Sequence, residues 1–207
     1  MRKISGIFIV LAFAALGATV SWAQSERGVS GAPPDTTASG EAMPQVELKI
    51  DTAFAYCALE MKGSYEQHEA AFGGLYGEAA KQGIAGGMPF GIYWNSPVDT
   101  PVEKLSWDVG FMMPPGKTPQ DPLKLKKWDY TTMASLKYRG LFGGEEMNAA
   151  YGAVYTWIGE NGYQPAGPMM EMFLNMPSPD ENGVLYGAIE IIVPIAKAAP
   201  AKETEAK

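Results

Sequence analysis

The sequence predicts an α+β domain built from two strand-helix-strand-strand units. They join into one largely antiparallel sheet with both helices on one face. Three observations predict it. FAYCALEMKG (54–63) is echoed by TTMASLKYRG (131–140), each an alternating run closed by a basic residue and Gly. AAFGGLYGEAAKQG (70–83) is echoed by AAYGAVYTWIGENG (149–162), each amphipathic and stopped by Gly. PFGIYWNSP (89–97) and MMEMFLNMP (169–177) both carry an apolar run into Asn-x-Pro, and LSWDVGFMMP (105–114) matches LYGAIEIIVP (185–194) at the same shift of eighty. A unit this short needs its partner copy to form a core.

Taken in order, the chain opens with Arg2 and Lys3 ahead of a charge-free apolar run, Ile4 to Val20. Ser21-Trp22-Ala23 is a small-x-small end, so residues 1–23 are expected to be a cleaved signal peptide and the protein periplasmic or secreted. The alternative is an uncleaved N-terminal helix that anchors the protein in a membrane, since the run reaches the length of the shortest spans. No Cys follows the run, which excludes lipoprotein processing. Residues 24–45 are rich in Gly, Pro, Ser, Thr and Ala and read as a flexible linker. Residues 46–196 form one ordinary domain, and 197–207 are expected to be a disordered tail.

The net charge is −7. Losing Arg2 and Lys3 leaves 14 basic against 23 acidic residues, or −9. With no basic cluster beyond Lys124, Lys126 and Lys127, nucleic acid is not an expected partner. The single Cys57 reads as a buried core residue.

Within the strands, alternation assigns faces. Phe90, Ile92, Met170, Met172, Trp107, Val109, Phe111, Ile189, Ile191 and Val193 form the more uniformly apolar sets and are expected under the helices. The opposite sets, with Gly91, Tyr93, Met169, Glu171, Phe173, Gly110, Met112, Glu190 and Ile192, are expected on a helix-free face. There two carboxylates stand in an aromatic and Met-rich field. By the shift of eighty Gly91 matches Glu171 and Gly110 matches Glu190, so each carboxylate has a bare backbone as its twin. Gly inside a strand marks a bulge or a close approach of ligand or chain. A flat, apolar, cationic ligand suits a space with charge on one wall and rings on the other.

There is no nucleophile elbow, Cys-x-x-Cys, phosphate loop or His-Glu-x-x-His, and no metal or cofactor is expected. His68 lies near a helix start and reads as a solvated helix histidine rather than a haem ligand or a triad member. The many methionines read as adaptable packing. SPDENG (178–183) reads as a hairpin turn rather than a calcium loop.

PFGIYWNSP, SWDVGF, AAYGAVYTWIGENGY, GPMMEMFLNMP and AIEIIVPI, in this order and spacing, resemble the gyrase-inhibitor-like family, also called the bacterial transcription activator effector-binding domain. The resemblance runs from Val46 to Ile195. It implies the duplicated architecture above and a cleft between the repeats for lipophilic, often cationic molecules, with an acidic residue of the second repeat facing the ligand. Glu171 matches that position, with Glu190 as its partner. Some stand-alone members are hydrolases of strained cyclopropane-type electrophiles. This chain departs from the family in having a signal and linker where a helix-turn-helix would stand.

The expected function is an exported small-molecule-binding domain for lipophilic, cationic compounds. Glu171 and Glu190 are the charge partners, Gly91 and Gly110 leave space, and Tyr93, Phe173, Trp107 and Tyr155 are candidate stacking walls. Alternation and helix stripe place Trp107 and Tyr155 nearer the core. The alternatives are a hydrolase of reactive small molecules using the same cleft and an envelope module whose open sheet face docks another protein. The domain is expected to be a monomer.

Overall fold

The computed structural model describes residues 45–180 and 182–199. The expected signal peptide, nearly all of the expected linker and the chain beyond 199 lie outside the described residues. Among those described, no helix is long and apolar enough to cross a membrane.

The first repeat is β2 (Phe54–Lys62), α1 (His68–Lys81), β3 (Pro89–Tyr93) and β4 (Ser106–Met112). The second is β6 (Thr132–Leu141), α2 (Glu145–Glu160), β8 (Met169–Phe173) and β10 (Leu185–Lys197). Four further strands were not legible as part of the repeat: β1 (Glu47–Ile50), β5 (Lys124–Trp128), β7 (Tyr163–Pro165) and β9 (Ser178–Pro179). β10 runs one residue past the expected domain end, and Lys197 places its ammonium 3.9 Å from the Tyr163 ring centroid.

The sheet order is β1-β6-β10-β8-β3-β4-β2-β5, with β7 and β9 also pairing β10. Every pair is antiparallel. The order is a palindrome of the two repeats about the β3–β8 pair. Both helices lie on one face, as expected. Each buries one stripe: His68, Ala71, Phe72, Leu75 and Ala79 on α1, and Met147, Ala150, Tyr151, Val154 and Ile158 on α2. Gly83 and Gly162, at φ 63° and 71°, supply the left-handed stop after each helix.

The other face is not open, because the edge strands change sides. β1 runs into β2, yet β1 pairs with β6 at the far edge of the sheet. Four Cα steps, Ile50 to Phe54, reach about 14 Å. Laid flat, six strand spacings would separate β1 from β2 by about 29 Å. β5 and β6 pose the same problem from the opposite edge. The sheet therefore curls until its edges meet, and Asp51 N–H donates to the Thr131 carbonyl at 3.0 Å to join the two crossings. The curl encloses a second core of Tyr56, Ala58, Phe90, Ile92, Met133, Met170 and Ile192, bordered by Trp128, Phe54 and Tyr130.

This second core corrects the face assignment. Gly91, Tyr93, Met169, Glu171 and Phe173 lie on the helix side, in register with Val109 and Ile191, while Phe90, Ile92, Met170 and Met172 lie on the other. All five β3 positions are buried, so neither of its faces carries the polar signal that alternation reads.

The repeat alignment also needs a correction. Asn95 Oδ1 accepts from Ser106 N–H at 2.9 Å, and its twin Asn175 Oδ1 accepts from Ala188 N–H at 2.7 Å. Likewise Gly91 faces Val109 where Glu171 faces Ile191. The last strands therefore match at a shift of 82, because the loop before β10 is two residues longer. Gly110 is the twin of Ile192, and Glu190 is the twin of Asp108. A Cβ on Gly110 would stand 2.7 Å from the Cys57 carbonyl, so close backbone packing requires glycine there.

The Asp108–Glu190 relation extends to the cations. Lys49 Nζ lies 2.8 Å from Glu190, and Lys126 Nζ lies 3.0 Å from Asp108. β1 and β5 supply these lysines at equivalent places, opposite Met133 and Tyr56. Both acids are nearly buried, at 4% and 2% exposure, so each swapped strand delivers the counter-charge for the other repeat's acid. Removing one partner leaves an uncompensated buried charge. Lys126→Met should cost about 2–4 kcal/mol in denaturant unfolding. Adding Asp108→Leu should recover most of that loss; a double variant no more stable than Lys126→Met would contradict the pairing.

Candidate functional site

Gly91 and Glu171 face each other directly across the central pair β3–β8. The approximate twofold that exchanges the repeats carries position 91 onto 171, so its axis passes through this pair. A side chain there meets its own twin, and two carboxylates would collide. One acid and one glycine is the arrangement that fits.

Glu171 is 1% exposed. Tyr93 Oη donates to Glu171 Oε2 at 2.9 Å, and Tyr151 Oη donates to Oε1 at 2.6 Å. His68 Nε2 lies 2.8 Å from Tyr93 Oη. Tyr93 reaches Glu171 by folding its ring over Gly91, where a Cβ would lie 2.6 Å from the hydroxyl. Three elements thus converge on one carboxylate: β3 with Tyr93, α2 with Tyr151, and the start of α1 with His68.

Each polar member has an apolar twin. Tyr93 corresponds to Phe173, Tyr151 to Phe72, His68 to Met147, and Glu171 to Gly91. At the twin end Phe72 and Phe173 pack edge to face at 5.6 Å. The repeat therefore has one greasy end and one hydrogen-bonded end.

Burial raises the Glu171 pKa, and the hydrogen bonds from Tyr151 and Tyr93 oppose that rise. Burial first, and then the neighbouring Glu171 carboxylate, hold both tyrosines well above the usual phenol range. The same causes push Tyr65 up to about 12. Burial lowers His68 from 6.5 to about 4, partly offset by the Tyr65 backbone, so its ring is neutral at physiological pH.

Above this network, at the end where β3 leaves and β8 enters the sheet, lies a cavity of about 220 Å³. Tyr65, Tyr93, Trp94, Tyr151 and Tyr155 give it five aromatic walls, closed by the backbone around Asn95 and by Pro168 and Met169. The floor is the tyrosine pair that covers Glu171. Tyr65 Oη donates to the Asn95 carbonyl at 2.6 Å. Three wall tyrosines thus spend their hydrogens on protein acceptors.

The residues singled out from sequence divide accordingly. Tyr93 and Tyr155 line the cavity, and Glu171 and Gly91 lie beneath it. Phe173 is at the apolar twin end. Trp107 is fully buried behind the site, its ring 4.6 Å from His68. Glu190 and Gly110 lie on the opposite face of the sheet, so Glu190 is not the partner of Glu171; it is held by Lys49 and by Ser135, which donates at 2.6 Å. His68 is not solvated; at 2% exposure it is core. Its place on the stripe 68, 72, 75, 79 was the signal for this. Tyr151, Tyr65 and Trp94 were not singled out for the site, although the Phe72/Tyr151 mismatch between repeats was readable.

Two consequences follow for stability. Gly91→Ala must displace Tyr93 from Glu171 and His68, at about 2–3 kcal/mol, and should cost clearly less in a Tyr93→Ala background, as measured by a double-mutant cycle. For pH, unfolded His68 holds a proton between 6.5 and about 4 that the folded ring refuses, so its contribution is lost as pH falls through that window. Glu171, raised when folded, works the other way: its contribution is lost as pH rises above 4.5 through the folded pKa. His68→Gln should flatten the acid-side loss by about 3 kcal/mol, and Glu171→Gln should steepen it, in urea unfolding across this range.

Comparison with known proteins places the fold. No curated protein sequence matches the chain significantly. EcmrR in its complex with DNA superposes with a TM-score of 0.62 at 13% identity, covering 75% of this chain and 59% of that one. The chain thus spans somewhat over half of that relative's length. The EcmrR C-terminal domain gives 0.60 at 14% identity, with 76% and 100% covered. A hydrolase from Listeria innocua gives 0.55 at 11% identity, with 73% and 92% covered. At these identities the likeness is one of fold. The family model described as a GyrI-like small molecule binding domain matches residues 44–196. The chain belongs to the GyrI-like family of small-molecule-binding domains.

Proposed function

We propose that this GyrI-like protein is exported and binds a small lipophilic ligand, cationic by preference, in the cavity above Glu171. The observation that carries the reading is the direction of the tyrosine hydrogens. With Tyr65, Tyr93 and Tyr151 all donating into the protein, the cavity offers a cation aromatic walls whose three hydroxyls keep no hydrogen to present, backed by a buried carboxylate. A space of about 220 Å³ is smaller than the usual drug-sized pocket, so a single-ring ligand is the natural guest. Larger ligands require Trp94 and Tyr155, 42% and 41% exposed at the rim, to swing aside. Export rests on the basic start, apolar run and cleavage pattern of residues 1–23.

The geometry favours binding over hydrolysis. Glu171 is covered by the two tyrosines, and burial beside a carboxylate makes their hydroxyls poor proton donors. The Listeria hydrolase shares the fold, and its activity is not carried across at that identity.

Trp94 at the rim reports on occupancy. Titrating the protein with benzyltrimethylammonium should quench its fluorescence saturably, about tenfold more tightly than the uncharged carbon isostere does. Trp94→Phe should lose the signal, and Glu171→Gln should lose most of the preference. Equal affinity for the two probes, or no saturable quenching by either, would overturn the reading. Recovery of full-length chain in the cytoplasmic fraction of cells would overturn export.

A further inference from the structure

The hydrogen bonds around Glu171 form one chain, and a chain of hydroxyls has a direction. Tyr93 owns one hydrogen. When Glu171 is ionised, that hydrogen goes to Oε2, and the Tyr93 oxygen must accept from His68, which therefore carries its proton on Nε2. Nδ1 is then a bare acceptor, and among the described residues it has no hydrogen-bond partner. When Glu171 takes a proton, its hydroxyl donates to Tyr93. The Tyr93 hydrogen turns to Nε2, which gives up its own proton while Nδ1 takes one up. One proton is gained in total, at Glu171, and the histidine changes tautomer without changing charge. Among the described residues the Tyr151 hydroxyl bonds to Glu171 and has no second acceptor like His68, so the reversal runs through Tyr93.

We propose that His68 is the specificity-determining residue of the cavity: its tautomer is coupled to the charge on Glu171, and its donation to Tyr93 holds Glu171 in the ionised form that selects a cation. This rests on the reading that the cavity binds a ligand. The ring is built for the task. It is 2% exposed and wedged between Trp107 at 4.6 Å, Phe72 at 6.2 Å and Tyr65 at 6.1 Å, so it cannot turn away from Tyr93. Among the described residues, the aromatic neighbours packed on the ring that titrate are Tyr65 and Tyr93, both far above neutrality. His68 does not touch the cavity; it acts by positioning the Tyr93 hydrogen. The apolar twin, Met147 behind Phe173 and Gly91, lacks every link of this chain.

His68 is the single histidine of the sequence, so its ring nitrogens can be read without ambiguity by long-range 1H–15N NMR. In the ligand-free protein at pH 8 the ring should be Nε2–H. In Glu171→Gln the new amide must present its oxygen to one tyrosine and its nitrogen to the other. Among the described residues Tyr93 has a second acceptor for its hydrogen in His68, so the amide nitrogen should face Tyr93 and the ring should become Nδ1–H. The same tautomer in both proteins overturns the coupling, and this arm needs no ligand. With benzyltrimethylammonium and its uncharged isostere, His68→Phe should lower the cation preference about two- to tenfold, the worth of one hydrogen bond. His68→Gln, which can still donate an N–H to Tyr93, should restore it. Unchanged preference in His68→Phe, or loss in both variants alike, overturns the selectivity role. Failure of both probes to bind wild type would sink the binding reading instead, while the tautomer pair would still decide the coupling.

Discussion

A carboxylate on a symmetry axis organises this molecule. Duplication brings positions 91 and 171 face to face in the middle of the sheet, with antiparallel Cα separations of about 5 Å. Two acids so placed could not both be ionised away from water. Glycine at one and glutamate at the other resolves the conflict, and the space above the glycine admits the Tyr93 ring that satisfies the glutamate. Burying a carboxylate is costly unless its oxygens are hydrogen-bonded, and here each oxygen has one tyrosine. The helices, the central strands and the cavity floor all depend on that satisfaction.

The two faces of the sheet treat the duplication differently. On the curled face symmetry is kept: Lys49 with Glu190 and Lys126 with Asp108 are one interaction made twice. The crossing of β1 and β5 makes it possible, because each repeat borrows the other's lysine. These pairs tie both sheet edges to the centre and serve architecture. On the helix face symmetry is broken at four positions together, and the cavity sits at the polar end only. A kept pair speaks for folding, and a broken one for ligand.

Trp94 joins the two faces. It follows Tyr93 in sequence, so alternation sends it toward the curled side, where its Nε1 donates to Asp108 at 3.1 Å and Lys126 lies 5.8 Å from its ring centroid. Its position at the end of β3 also makes it a wall of the cavity. Trp94 is thus held by a buried ion pair on one side and lines the cavity on the other, while Tyr155 lines the same cavity from α2.

Read alone, the sequence determined the class of the fold, the duplication, both helices with their stops, and the Gly91/Glu171 contrast. These are local or periodic properties, carried by residues close in the chain or by repetition of a pattern. It also contains the tyrosine-for-phenylalanine differences between the repeats and the stripe that buries His68. Three things were decided only by tertiary structure. The exchange of β1 and β5 depends on which edge each strand reaches, and four-residue segments such as ELKI carry no such address. The curl that buries the second face follows from that exchange, and it removes the polar contrast that face assignment needs. The register that sets Asp108, not Gly110, against Glu190 depends on a loop two residues longer in one copy, which only cross-strand hydrogen bonds reveal. The candidate site was therefore legible as a carboxylate missing its twin. Its true companions, Tyr151 and His68, come from helices whose approach to Glu171 is fixed by packing in three dimensions.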